Sequence, residues 1–291
     1  MFYFLYRIGR FVALFFPLRV TYFFASAIAW AYYHISKRDR EAVISNLRTV
    51  LGSEASREEI RRMAKDVFKN FAKYLVDFFR FSKVDRDYIN KFVRVEGRQN
   101  IEKGLANGKG TILLSAHIGN WELGGIAVSL LGYQMNAVVL PHQNKKVNEF
   151  FTRQRMLGKM RPIEIGMSLR ECFRALRGNE FLALLGDRDF SRHGIHLDFF
   201  GRKGLIPKGP AVFSHRCGAA IVPTFMIREP DDTFTLFFDT PIMPDPAEPE
   251  AKAVESITKK CVAVIEKYVK RYPDQWYIFR PFWDNGAKEK R

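Results

Sequence analysis

His117 and Glu122, in the stretch "SAHIGNWELGG" at residues 115–125, are the pair whose types and spacing suit proton transfer. An imidazole titrates near neutrality. A carboxylate bonded to one ring nitrogen sets the tautomer and stabilises the imidazolium, which leaves the other nitrogen to take a proton from a hydroxyl. Spacing limits how the two can meet. In one continuous α-helix they would stand about 140° apart around the axis. Gly119 and Asn120 both tolerate turn geometry, so Glu122 can fall in the first turn of a following helix and curl towards the ring. The expectation is a general base, His117, oriented by Glu122. The competing reading is a histidine that only caps a strand.

Two further clusters carry chemistry-bearing side chains. "GDRDF" at 186–190 follows the apolar run "FLALL", so Asp187 and Asp189 stand at another strand end, able to hold Arg188 or Arg155 or to support the base. With His193 and His196 they spell D-x-D-x3-H-x2-H, which matches no recognised zinc set, and no metal is expected. "LPHQNKKVNEFFTRQRMLGKMRP" is basic, and Arg153, Arg155 and Lys159 are each either an anion contact or part of a solvated helix face. There is no Walker lysine pattern, no GxSxG elbow and no dinucleotide fingerprint, so no cofactor is expected.

Positioning these residues requires strands that end beside one another. "FVRVEG", "TILLSAH", "MNAVVLP", "FLALLGD", "AAIVPTFMI" and "TFTLFFDTPI" read as strands. "LGGIAVSLLG", "SLRECFRALRGN", "GPAVFSHRCG" and "VESITKKCVAVIEKYVKRY" read as helices between or after them. The alternation predicts an α/β fold with a mostly parallel central sheet flanked by helices. In such sheets ligands collect beyond the carboxyl ends of the strands, where His117 lies. Two amphipathic helices are expected over 38–81, and the proline-rich "PIMPDPAEPE" is read as a connection inside one domain.

At 291 residues the chain can bury a large core. Its net charge of +16 and 14% aromatic content suit partners that are acidic and greasy, an anionic bilayer or a phosphorylated lipid among them. Cys172, Cys217 and Cys261 follow no framework spacing, which fits a reducing compartment. Residues 1–36 carry three arginines, no acidic residue and many aromatics. They are expected to be a membrane anchor, with 37–291 as the catalytic domain. Pro17 and Arg19 split the apolar run, leaving a spanning helix, a tilted helix or a monotopic hairpin open. Arg19 also argues against a cleaved signal.

"SAHIGNWELGG" resembles the H-x4-D/E motif of bacterial glycerolipid and glycolipid acyltransferases, and its "HxGNWE" form is similar to the late acyltransferases of lipid A biosynthesis. The resemblance continues through "NL" at 46–47, "RQRMLG" at 153–158, "GDRDFSRHGIHLDFFGRKGLIPKGP" at 186–210 and "PDQWYIFRPFW" at 273–283, in the family's order. It implies transfer of an acyl group from an acyl carrier protein or acyl-coenzyme A to a hydroxyl of a membrane lipid acceptor. A lipid A precursor is the first choice; a phosphatidylinositol mannoside or another glycolipid is the alternative. It implies His117 as base, Glu122 as its orienter, and Arg155 at phosphate or the developing oxyanion. Asp187 and Asp189 become the D-x-D element and, with Arg280, substrate contacts, at the cytoplasmic face of the inner membrane. "WYIFRPFW" departs from the family's W-x-H-R-R ending, because Phe279 replaces a histidine; the aromatic cluster there is read as packing. The alternative class is a basic membrane scaffold without catalysis. It accounts for the charge but not for His117 and Glu122 at a strand end, and no nucleic-acid partner is expected.

Overall fold

The computed structural model describes residues 2–165, 169–190 and 192–283. The N-terminal segment forms two helices, α1 (Phe2–Phe15) and α2 (Leu18–Ile35), parted at Pro17. Proline lacks the amide that would continue α1, and its fixed φ suits the start of α2. Among the described residues no helix is long and apolar enough to cross a membrane. The expected amphipathic pair follows as α3 (Lys37–Leu51) and α4 (Arg57–Phe79). Ser56 caps α4 by accepting from the Glu59 amide at 3.1 Å.

The chain then alternates: α5 (Arg86–Phe92), β1 (Val93–Glu96), α6 (Arg98–Leu105), β2 (Thr111–Ser115), α7 (Trp121–Leu130), β3 (Met135–Val139), α8 (Lys145–Leu157), β4 (Arg161–Glu164), α9 (Leu169–Arg177) and β5 (Phe181–Leu185). It continues through β6 (Ile195–Phe199), β7 (Arg202–Ile206), α10 (Gly209–Cys217), β8 (Ala220–Arg228), β9 (Phe234–Phe238) and α11 (Glu250–Arg271). Seven strands form one sheet in the order β1-β9-β8-β2-β5-β3-β4. Every neighbouring pair is parallel except β8 with β9. The predicted mostly parallel α/β sheet is thus observed.

Both faces of this sheet are covered, which is why its central strands read as unbroken apolar runs. Ile112, Leu114, Ile221 and Phe225 pack with α9, α10 and α11 on one side. Leu113, Val222 and Met226 pack with α4, α6, α7 and α8 on the other. Two elements depart from the sequence reading. β4 lies at the sheet edge with Pro162 inside it, and its "RPIE" carries no apolar run to reveal it. No strand is expected at 195–206, where the chain forms the antiparallel β6–β7 hairpin. Phe200 and Gly201 make its turn, with φ of 53° and 71°.

Candidate active site

Strands β2 and β5 are parallel neighbours, and their register sets Ser115 opposite Leu185. Two residues beyond each strand come His117 and Asp187, side by side. His117 Nδ1 lies 2.8 Å from Asp187 Oδ1, while Asp187 Oδ2 accepts from the His117 amide at 2.9 Å and from Trp276 Nε1 at 3.0 Å. Asp187 is fully buried, so it supports the ring and does not make the substrate contact expected of it, and burial alone would push its carboxyl up. The adjacent imidazole and the three donated bonds outweigh that and hold it below the usual carboxylate value. An ionised carboxylate only accepts, so Nδ1 carries a proton, and in the neutral ring Nε2 is the nitrogen with the lone pair. The ring is partly exposed, with 18% of its side-chain surface accessible. It is flanked edge-on by Trp121 and Phe190 at centroid distances of 5.3 and 6.4 Å.

The turn after His117 is clipped on two sides. Gly119 has φ +61°, and a β-carbon there would stand 2.0 Å from the Met226 carbonyl oxygen. Only glycine fits that approach. The Gly119 amide donates to the Gln275 carbonyl at 2.9 Å, the Asn120 amide to Met226 at 2.7 Å, and the Tyr277 amide to the His117 carbonyl at 2.8 Å. Asn120 caps α7 by accepting from the Leu123 amide at 3.1 Å and donates to Asp77 at 2.9 Å. Asp77, buried in α4, also accepts from Arg228 of β8 and from the Tyr22 hydroxyl of α2. A buried polar network therefore joins the N-terminal helices to the turn.

Glu122 does not turn towards His117, contrary to the sequence expectation. Its oxygens accept from Arg155 Nε at 3.0 Å each and from Nη2 at 2.6 Å. The α7 start aims Glu122 at α8 and not back along the strand end, so the ring's orienter is Asp187. Arg155 is correspondingly 8% exposed and held by the carboxylate, a fork-shaped pair inside the fold rather than a free cation awaiting an anion. Asp189 accepts from the Gly194 amide at 3.1 Å. Arg188 lies over the Phe190 ring at 4.6 Å.

Arg280 is exposed, and its carbonyl accepts from Asn46 Nδ2 at 2.8 Å. Asn46 also donates to the Ile278 carbonyl at 3.0 Å and accepts from the Phe282 amide at 2.9 Å. It clamps the segment that carries Trp276, a role its position in "NL" did not reveal. Phe279 packs on Phe68 and Phe71, as expected for the aromatic ending. Asn46, Asp77, Gln275 and Trp276 were all missed as parts of the site; their signal was polar or amphipathic side chains inside otherwise apolar segments. Among the described residues no group of three His, Cys, Asp or Glu side chains converges to hold a metal ion. The arrangement at the strand ends can accept a proton at Nε2 and return it.

Residues 1–285 match the family profile of the bacterial lipid A biosynthesis acyltransferases. The chain is 28% identical to the lipid A biosynthesis palmitoleoyltransferase of Escherichia coli K12 over 247 residues, covering 84% of this chain and 78% of that protein. It is 24% identical to the phosphatidylinositol mannoside acyltransferase of Mycolicibacterium smegmatis over 226 residues, covering 76% and 72%. The protein of the same name in Mycobacterium tuberculosis H37Rv is 24% identical over 259 residues, covering 86% and 79%. With a match that runs through the N-terminal helices, the strand-end turn and the C-terminal clamp alike, the chain belongs to the bacterial lipid A biosynthesis acyltransferase family.

Proposed function

We propose that the protein transfers a fatty acyl group from an acyl thioester, carried on acyl carrier protein or coenzyme A, to a hydroxyl of a lipid A precursor. His117 is the general base. The observation that carries this reading is the His117–Asp187 bond, which leaves Nε2 as an acceptor at the mouth of two parallel strands. In the reaction, Nε2 takes the proton of the acceptor hydroxyl as its oxygen attacks the thioester carbonyl. The tetrahedral intermediate collapses with cleavage of the C–S bond, and the imidazolium returns the proton to the departing thiolate. Asp187 is the positioning residue that stabilises the imidazolium, and no cofactor takes part. Glu122 and Arg155 brace the wall formed by α7 and α8, while exposed Arg280 is the substrate-facing cation. Asp189 holds the Gly194 amide beside the site.

In this reading residues 1–36 lie on the inner membrane and present the rest of the chain to cytoplasmic thioesters. The outward apolar side chains of α1 and α2 support it: Phe4, Phe11, Phe15, Phe23, Ile28 and Ile35 are all more than half exposed. The names of two mycobacterial relatives favour a second acceptor, a phosphatidylinositol mannoside. Mass spectrometry of membrane lipids from cells with the protein, without it, and with His117→Ala separates these readings. One acyl chain missing from a single lipid class in both deficient strains names the acceptor. Full acylation in the His117→Ala strain removes the proposed base.

A further inference from the structure

Away from the catalytic turn, α1 and α8 border a groove of about 740 Å³ whose chemistry the acyl-transfer step does not use. Its polar lining is Arg7 and Arg10 from α1 and Lys146, Arg153 and the neutral Gln154 from α8, against a single carboxylate, Glu149. Among the described residues none of the four cations forms an ion pair, and Arg10 Nε is buried with no hydrogen-bond partner. An orphaned guanidinium nitrogen in a cationic wall is costly unless an anion completes it. The rest of the lining is apolar: Tyr3, Phe11, Leu14, Phe15 and Phe150.

The groove is built in advance. Tyr6 packs on Phe79, Phe150 and Phe151, and Gly9 lets α1 approach the Phe79 ring so closely that a β-carbon would stand 2.9 Å from it. Arg80 donates to the Ala13 and Phe16 carbonyls at the end of α1. Phe11 and Phe15 belong both to the groove and to an outward patch with Phe4, Leu5 and Ile8, each more than half exposed. A ligand seated here therefore has its anion among arginines and its apolar part continuing onto an exposed aromatic edge. On α8 the groove-facing Arg153 and the inward Arg155 are about 200° apart around the axis. The groove thus lies on the opposite side of α8 from the Glu122 pair.

From this geometry we infer that the α1–α8 groove seats the phosphate of an anionic glycerophospholipid of the bilayer, with its acyl chains along the Phe11–Phe15 edge. The phosphate accepts from Arg7, Arg10 and Arg153, and forked guanidinium donors suit its oxygens. The inference rests on the membrane reading above and adds a headgroup preference to it. Because the site turns away from the catalytic face, it docks the enzyme and does not hold the acyl acceptor.

The test is flotation of the full chain with phosphatidylcholine vesicles, with and without a minority of phosphatidylglycerol. The comparison is between Arg7→Gln/Arg10→Gln and a charge-matched control, Lys260→Gln/Lys270→Gln, at exposed positions of α11. The groove variant is expected to lose the phosphatidylglycerol-dependent gain by about tenfold or more, while the control keeps it. Lys146→Gln/Arg153→Gln, exposed on the other wall, is expected to act in the same direction without touching the packing of α1. Equal losses in groove variants and control mean diffuse charge attraction and overturn the site. Groove variants that float normally but raise KM for a phosphorylated acceptor or for acyl carrier protein also overturn it, by giving the groove to that substrate. Wild-type protein that floats equally with both vesicles sinks the headgroup site alone; wild-type protein that binds neither sinks the membrane reading itself.

Discussion

Asp187→Asn inverts the tautomer of the base while keeping almost every contact. Asp187 Oδ2 accepts from two fixed donors, the His117 amide at 2.9 Å and Trp276 Nε1 at 3.0 Å, so the asparagine carbonyl must take that side. Its amide group then faces His117 Nδ1, 2.8 Å from the present Oδ1, and donates where the carboxylate accepted. Nδ1 must become the acceptor, the ring proton moves to Nε2, and the base loses its lone pair. The corresponding exchange in a serine-protease triad costs about 10⁴ in kcat. A fall of about 10³ to 10⁴ is expected here, or about 4 to 5.5 kcal/mol at 1.36 kcal/mol per tenfold. KM should change little, because Asp187 is fully buried behind the ring. The fold should persist with a loss of about 1 to 2 kcal/mol for the charge-assisted bond. The assay is steady-state acyl transfer from a thioester donor to a lipid acceptor in mixed micelles, with circular dichroism as the folding control. If Asp187→Asn keeps kcat within about tenfold of wild type while Glu122→Gln falls steeply, the orienting role belongs to Glu122 and the tautomer argument is refuted.

The same carboxylate predicts a pH effect on stability. Its folded pKa lies below the unfolded 3.8, so its contribution is fully present above that value and is lost as pH falls through the lower folded one. Asp187→Asn should flatten that acid limb in thermal melts. Glu122→Ala leaves the Arg155 guanidinium buried without its partner and should cost about 3 to 5 kcal/mol in urea unfolding; Glu122→Met with Arg155→Met should cost less than the two single losses added. Gly119→Ala meets both positive φ and the Met226 carbonyl, so it should abolish transfer and destabilise by about 3 kcal/mol or more. Asn46→Ala removes three bonds to the C-terminal segment, and about 2 to 3 kcal/mol of stability with it, with faster proteolysis near Trp276 as the local readout.

The strand runs and most helices were legible because burial on both faces writes itself as local apolar runs, as in "TILLS" and "FLALL". β4 was not, since an edge strand with a proline needs no such run. His117 was legible from its type and its place after β2. Its partner was misassigned to Glu122 because reasoning along one stretch weighs only what lies near in sequence, and Asp187 is seventy positions away. Arg155 was singled out, but a lone arginine gives no sign of whether a substrate or a buried glutamate will occupy it.

The sequence by itself determined that one apolar strand runs into a histidine, His117, and another into an aspartate, Asp187, and that a glycine makes the turn between base and helix. Only the tertiary structure decided that β2 and β5 are neighbours in register, and that adjacency makes His117 and Asp187 a pair. Strand order is set by how helices from distant segments share out the two faces of the sheet, and no local pattern encodes it. The same holds for Glu122: the helix start can be read from Asn120, but the direction of the carboxylate depends on α8 bringing Arg155 against α7.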